Sequence, residues 1–197
     1  EECAVAPTAA SPPSVPSGDR AFLTARDGYR AGDAAKLNKA ASAVGDHVLL
    51  PYVEFWQLRL RLEDRPTGEV QQFLDRHSGT LLAEYLRRDW LKVLGRRGDW
   101  GLFREQQPLL VGDDVEVACL TLLSRWQLKD ESVLAELKGH WRSPRELPSG
   151  CVSLIQAALT APGPVPAPGE PASSTARWGS AQLWERFRVL SEANQSA

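Results

Sequence analysis

The sequence predicts an all-α fold, a right-handed α-superhelix (α-solenoid) built from antiparallel helix pairs. Residues 80–103 place apolar side chains at every third or fourth position, which is the period of an amphipathic helix. Gly98-Asp99 then provides a helix stop followed by an N-cap for a second helix. Gly32-Asp33 repeats this pattern earlier in the chain. Two such hairpins predict a stack of about nine helices in an arc.

Most predicted helices begin at a capping residue and end at a glycine, a proline or a polar turn. The expected N-caps are Asp19, Asp33, Thr67, Asp99 and Asp130, and the carboxylates of Asp113-Asp114 suit the N-terminus of a helix that follows them. The predicted helices cover residues 20–31, 34–44, 49–63, 68–76, 81–94, 100–103, 115–128, 131–141, 151–160 and 180–193. No apolar run with strand periodicity is long enough to compete with these helical patterns.

Composition divides the chain into two parts. Residues 1–18 form a Pro-, Ala- and Ser-rich leader that we expect to be flexible, and residues 19–197 form the helical domain, with a Pro-rich loop at 161–174. The chain has no Met and begins with Glu-Glu-Cys. We therefore expect that its beginning has been removed, by signal-peptide cleavage or by trimming. The amphipathic helix at 180–193 needs a neighbour to cover it, so we also expect the native protein to continue.

Several classes of function are disfavoured by the totals. The net charge is −2 over 197 residues, so no overall basic field recruits nucleic acid. No apolar run approaches the length of a membrane span. No phosphate-binding loop or zinc-ligand spacing occurs, and we predict no cofactor, no metal and no catalytic residue in this chain. The three cysteines, Cys3, Cys119 and Cys151, fit either one disulfide plus an odd thiol or three ordinary thiols.

Charged residues in the central helices allow one specific prediction. On helical wheels, Arg59 and Asp89 fall inside apolar stripes, whereas Arg87 and its charged neighbours mostly face away. An unpaired charge in such a stripe is costly, so we predict a buried Arg59–Asp89 ion pair. The alternative is that Arg59 pairs with Glu63 one turn later.

The seven tryptophans have two interpretations. Aromatic rings stack on sugars, which favours a carbohydrate-binding surface, but at helical spacing they usually pack between layers. We expect packing for Trp56, Trp90 and Trp126.

Three segments carry a resemblance to a known family. Residues 50–58 (LPYVEFWQL) resemble the "YPYLEYRQL"-like signature of soluble lytic murein transglycosylases, and residues 94–100 (LGRRGDW) resemble their "LARRxDW" hairpin. Between them, residues 70–74 (VQQFL) are similar to a "VxxFL" helix. The order and spacing of the three segments extend the resemblance over roughly residues 19–193.

The resemblance implies a periplasmic protein that acts on peptidoglycan. In this family a superhelix of helix pairs precedes a lysozyme-like domain, whose catalytic glutamate cleaves the glycosidic bond and leaves a 1,6-anhydro ring. The family also has a disulfide in its N-terminal part, and the spacing of Cys119 and Cys151 is close to it. The resemblance therefore implies a Cys119–Cys151 disulfide with Cys3 free.

The catalytic motif of the family is missing from the chain. Glu131-Ser132 lacks the surrounding residues of that motif, and Gly-Leu-Met-Gln cannot occur in a chain without Met. We expect a non-catalytic N-terminal helical domain, inactive alone, whose partners are peptidoglycan glycan strands or the missing C-terminal catalytic domain. The alternative is a stand-alone helical-repeat adaptor that binds a protein or peptide.

Overall fold

The computed structural model describes residues 16–141 and 147–160, together with positions 185, 188 and 189. All regular structure in these residues is helical, which confirms the predicted all-α class. The α-helices of this part are α1 (Ser17–Arg30), α2 (Ala34–Val44), α3 (Leu50–Leu60), α4 (Thr67–Arg76), α5 (Leu81–Arg97), α6 (Trp100–Gln106), α7 (Val115–Gln127), α8 (Val133–Trp141) and α9 (Ser149–Thr160). Most of the leader, the Pro-rich loop and the predicted helix at 180–193 lie outside the described residues.

The cap at Asp33 is confirmed, and of the pair Asp113-Asp114 it is Asp114 that caps α7. The Asp33 side chain accepts a hydrogen bond from the backbone N–H of Lys36 at 2.9 Å. The Asp114 side chain accepts one from the backbone N–H of Val117 at 3.1 Å. Asp99 occupies the cap position of α6, but its side chain makes no capping hydrogen bond.

Several predicted helix ends are wrong by two to three residues. Helices α5 and α6 each extend three residues further than predicted. Thr67 and Asp130 are not N-caps, because α4 begins at Thr67 itself and α8 begins at Val133.

Helix α1 begins at Ser17 rather than after Asp19, because Pro16 supplies the extended residue before it. The Asp19 carboxylate instead accepts a hydrogen bond from His47 Nε2 at 2.7 Å. Helix α3 ends at Leu60 and is followed by a short 3-10 turn, Leu62–Asp64, so the predicted end at residue 63 lies in that turn.

The chain is divided into two compact units, with the boundary between Ser78 and Gly79. The first unit holds α1 to α4. Helices α1 and α2 form a hairpin across Gly32, which has a φ of 70°, and α3 packs on both of them. The shared core consists of small and branched residues, namely Ala21, Ala25, Leu37, Ala40, Val44 and Val53.

Aromatic rings pack between α1 and α3 at the edge of this core. Trp56 lies with its ring centroid 5.3 Å from that of Phe22 and 5.5 Å from that of Tyr29. Farther along, Phe55 of α3 meets Phe73 of α4 at 6.4 Å. Aromatic packing thus joins successive helices of the first unit, as expected for Trp56.

The second unit is built around α7, which contacts α5, α8 and α9. Leu120 of α7 lies against two glycines: a Cβ added at Gly95 of α5 would come within 2.7 Å of its side chain, and one at Gly150 of α9 within 2.8 Å. Beside it, a disulfide joins Cys119 and Cys151, with a Cα–Cα distance of 4.8 Å. This is the pairing that the resemblance implies. None of the helices in the described part is long and apolar enough to cross a membrane.

The contact between α1 and α2 predicts a large effect of Gly28→Ala. A Cβ at residue 28 would lie 2.8 Å from the backbone nitrogen of Leu37, and backbone cannot move aside as a flexible side chain can. We expect the free energy of unfolding to fall by about 1–3 kcal/mol in urea titrations.

The matched control for this substitution is Gly68→Ala in α4 of the same unit. A Cβ there meets nothing within 4 Å, so this change should be neutral or stabilise by about 0.4–1 kcal/mol. Equal urea midpoints for both variants would contradict the close packing of α1 and α2.

The disulfide predicts a second measurable loss of stability. Cys119 and Cys151 are 32 residues apart, and closing such a loop stabilises a fold by about 3–4 kcal/mol in the chain-entropy model. We expect the double variant Cys119→Ala, Cys151→Ala to unfold at correspondingly lower urea, with Cys3→Ser unchanged. Alkylation of the unfolded, unreduced protein should label one thiol, and labelling of three would refute the bond.

Candidate functional site

The first unit contains a polar cleft between α2, α3 and α4, with a volume of about 270 Å³. Residues at helical spacing line it, because side chains three, four and seven positions apart share one face. On α3 these are Glu54, Gln57 and Leu58, and on α4 they are Glu69, Gln72 and Arg76; Asn38 of α2 and Arg65 of the connecting turn complete the polar cleft. It therefore combines amides, guanidinium groups and carboxylates with a single apolar residue, Leu58.

Each charge in the polar cleft has an opposite partner. Arg76 donates to Oε1 of Glu54 at 3.3 Å, and the other oxygen of Glu54 lies 3.2 Å from His77 Nε2. Arg65 donates to Glu69 at 3.4 Å and to the backbone carbonyl of Gln57 at 3.0 Å. Two arginines therefore balance two glutamates, and the polar cleft has little net field to select a cation or an anion.

The amides of the polar cleft are only partly used. The Gln57 side chain donates to Asn38 Oδ1 at 2.8 Å, which fixes both groups. Within the described residues, the Asn38 NH₂ group, the Gln57 side-chain oxygen and the whole Gln72 amide make no hydrogen bond to protein. These donors and acceptors are available to a ligand.

A second surface of the first unit, the basic groove, lies between α1 and α2 and has a volume of about 490 Å³. Its floor is made of Ala21, Ala40 and Ala43, and cationic side chains line it: Arg20, Lys36 and Lys39. No acidic residue of the described part of the chain lines the basic groove. This surface favours acidic, partly apolar ligands.

A charged cluster in the second unit has a structural role. Lys92 of α5 lies 2.8 Å from Asp114 and 3.5 Å from Glu116, and Glu116 accepts from the Ser149 hydroxyl at 2.9 Å. The cluster thereby ties α5 and α9 to the start of α7. Burial alone would raise the pKa of Asp114, but hydrogen bonds from Lys92 and the Val117 N–H outweigh it and lower that pKa.

Another ion-pair network follows at the end of α7. Arg125 pairs with Asp130 and with Glu136, each at 2.8 Å, and Ser132 also donates to Asp130. The hydrogen bonds from Ser132 and Arg125 lower the pKa of Asp130. The network fixes the turn between α7 and α8 and leaves Asp130 a poor proton donor.

The predicted burial of Arg59 is wrong. Arg59 is exposed on α3, where its guanidinium lies 5.6 Å from the centre of the Phe55 ring. Asp89 has a side chain about 20% exposed and accepts from Arg88 of the same helix. The proposed Arg59–Asp89 contact joins residues of different units and stays a prediction, as does the Arg59–Glu63 alternative.

The prediction that Arg87 faces away from the core is wrong. Arg87 is only 8% exposed, and it donates to the side-chain oxygen of Gln106 on α6. Its Nε is buried with no hydrogen-bond partner in the described residues. The sequence signal was weak: Arg87 sits beside Leu86 and three positions before Trp90, at the edge of a stripe that the structure makes wider.

No three-ligand group of His, Cys, Asp and Glu occurs in the part of the chain that the structure describes.

Trp90 is fully buried and Trp126 partly buried, as the packing interpretation predicts. The polar cleft is therefore the candidate ligand site of the first unit, whereas the clusters of the second unit hold helices together.

Comparisons with known proteins give structural likenesses only. A scan against models of protein families finds no match, and neither does a search of curated protein sequences. Two solved structures match with a TM-score of 0.62 and 17% identity: a 70-kDa soluble lytic transglycosylase in complex with bulgecin A, and the soluble lytic transglycosylase SLT70 of Escherichia coli. The structure of an inactive mutant of the lytic transglycosylase Slt of Pseudomonas aeruginosa matches with a TM-score of 0.59 and 23% identity.

Each likeness covers 90% of this chain and 26% of the other chain. The chain therefore has a lytic transglycosylase-like helical fold. It spans about a quarter of the length of the proteins that it resembles.

The Asp114 contacts predict a pH-dependent stability. Because the pKa of Asp114 is lower in the folded state, ionisation stabilises the fold above the unfolded pKa, near 3.8, and that stabilisation disappears as pH falls through the folded pKa. Asp114→Asn keeps a capping side chain but removes the charge. We expect it to cost about 1–2 kcal/mol at pH 6, and the cost should become smaller as pH falls below 3.8 in urea titrations.

The control for this prediction is Asp113→Asn, an exposed neighbour. It should leave the urea midpoint nearly unchanged at both pH values. A loss for Asp114→Asn that is as large at pH 3 as at pH 6 would contradict the ionic role of Asp114.

Proposed function

We propose that this chain is a non-catalytic helical domain of a lytic transglycosylase-like protein that acts on peptidoglycan in the periplasm. The main observation that supports this proposal is that 90% of the chain is structurally similar to part of three soluble lytic transglycosylase structures. The domain holds or guides glycan strands, and a catalytic domain outside this chain cleaves the glycosidic bond.

The three family-like segments support this proposal through where they lie. Residues 50–58 fall on α3, residues 70–74 fall on α4, and residues 94–100 form the turn between α5 and α6. In that turn Gly98 has a φ of 78°, which favours glycine. Each segment therefore contributes to a defined helix or turn of the shared fold.

The disulfide supports a location outside the cytoplasm. The Cys119–Cys151 bond joins two buried sulfurs, and such bonds persist mainly in oxidising compartments such as the bacterial periplasm. Export is the simplest account of a structural disulfide in this fold.

The described carboxyl groups support a non-catalytic role. A glycosidic acid catalyst needs a raised pKa and a position over the scissile bond. Asp114 and Asp130, whose pKa values shift, both shift downward. Glu54 and Glu69 of the polar cleft are held by arginines.

The adaptor function has one specific observation in its favour. The basic groove offers an apolar floor with cations around it, which suits an acidic helix or peptide. An adaptor should bind such peptides through Lys36 and Lys39 and should not bind murein.

Incubation with purified murein sacculi tests the proposal. We expect the full chain to sediment with sacculi and to release no 1,6-anhydro products beyond a boiled control. Lys36→Glu with Lys39→Glu, which reverses charge in the basic groove, should sediment equally. That control separates glycan binding from general electrostatic attraction.

Two outcomes would reject the proposal. Anhydro products that disappear in Glu54→Gln or another glutamate variant would reveal an active site in this chain. Failure to sediment, together with tight binding of acidic peptides, would favour the adaptor function.

A further inference from the structure

The polar cleft has the properties of a site rather than of a packing defect. Its residues come from three helices and the turn before α4, and hydrogen bonds between them fix several side chains before any ligand arrives. Such preorganisation lowers the entropy cost of binding. The cluster of Lys92, Asp114 and Glu116 in the second unit differs, since it contains no side-chain amide that remains unused.

The charge balance of the polar cleft points to an uncharged ligand. A phosphate or carboxylate site would show an excess of guanidinium or backbone N–H donors. Here Arg65 and Arg76 already pair with glutamates, and the Nε of Arg65 is the one buried guanidinium nitrogen of the polar cleft that lacks a partner among the described residues. A cation would need acidic oxygens in excess, which the polar cleft also lacks. Leu58 alone supplies apolar surface, so a lipid or steroid would leave most polar groups without partners.

The unused groups of the polar cleft match an amide and hydroxyls. The Asn38 NH₂ group and the Gln72 amide can donate to a carbonyl, and the oxygens of Gln57 and Gln72 can accept from N–H or O–H groups. Hydroxyl groups both donate and accept, so they suit a wall of alternating amides and carboxylates. Leu58 can contact a methyl group or the C–H face of a sugar ring.

Size and shape favour a saccharide over a peptide. A volume of about 270 Å³ is close to the lower end of small-molecule sites, about 300–1,000 Å³, and suits one or two sugar rings. Peptides are usually recognised by a sheet edge, an apolar groove or aromatic-lined channels, and the polar cleft has none of these.

We propose that the polar cleft binds an N-acetylated, uncharged saccharide unit, with Asn38, Gln57 and Gln72 recognising its acetamide and hydroxyl groups. This inference rests on the proposed function, because it assigns the place where the helical domain would hold a glycan strand. The groups that contact the sugar are positioning groups, and no bond is made or broken at the site.

Titration of the full ¹⁵N-labelled chain with the tetramer of N-acetylglucosamine tests this inference. Chemical-shift changes should centre on the side-chain amides of Asn38, Gln57 and Gln72. Asn38→Leu and Gln72→Leu should each weaken binding by roughly three- to tenfold, the effect of losing one or two neutral hydrogen bonds. Asp75→Asn, an exposed change on α4 outside the polar cleft, should leave affinity unchanged.

Two further ligands sharpen the result. The glucose tetramer lacks acetamide groups and should bind several-fold more weakly, and a neutral blocked dipeptide should not compete. Absence of shifts, shifts that centre elsewhere, or equal affinity for the glucose tetramer would overturn the inference. Displacement of the sugar by the dipeptide would overturn it in favour of a peptide site.

The titration and the sacculus experiment fail separately. If sacculi retain the chain while the sugar tetramer causes no shifts, the proposed function stands and the polar cleft is not its glycan site. If the tetramer binds in the polar cleft but sacculi do not retain the chain, the saccharide site stands and the peptidoglycan function falls.

Discussion

Close approach between short helices is the constraint on which this structure depends. Helices of about three turns have narrow apolar stripes, so they bury enough surface only when their axes come close together. Gly28 permits this between α1 and the backbone at Leu37. In the second unit the Leu120 side chain lies against both Gly95 and Gly150. The Cys119–Cys151 bond joins the residue before Leu120 to the residue after Gly150. Small residues and the disulfide together hold α7 between its neighbours.

The polar groups of the two units differ in how completely they are hydrogen-bonded within the protein. This difference distinguishes a cluster that stabilises the fold from a candidate binding site. At the start of α7, Lys92, Asp114, Glu116 and Ser149 satisfy one another and leave little for a ligand. In the polar cleft the charges cancel in the same way, yet the exposed Asn38 NH₂ group and Gln72 amide and the Gln57 side-chain oxygen have no protein partner among the described residues. A packed network tends to use all its hydrogen-bonding groups, whereas a binding surface keeps some for the ligand.

Local sequence patterns predict the helices because stripe, cap and stop all act within a few residues. Asp33 caps as expected, Asp114 of the Asp113-Asp114 pair caps α7, and Pro16 shifts the start of α1 by pre-setting the backbone. The width of a helix's buried face, by contrast, depends on how many other helices pack against it, and nearby residues in the sequence do not determine that number. Helix α5 has neighbours in α6, α7 and α9, so Arg87 at the edge of its stripe becomes buried, whereas Arg59 stays exposed on α3. The polar cleft was likewise not predictable, since Asn38 and Arg76 line the same cleft only after three helices have packed.

The roles of the residues in the family-like segments are explained by the fold rather than by ligand binding or catalysis. In residues 94–100, Leu94 is buried, Gly98 adopts a positive φ, and Trp100 packs edge-on against Phe103 at 5.7 Å between centroids. These roles account for the segment through helix packing and turn geometry, without any ligand. A protein could keep the turn and lose the function, because fold and site are carried by different residues. The functional question therefore depends on Asn38, Gln57 and Gln72, whose unused groups the fold does not require.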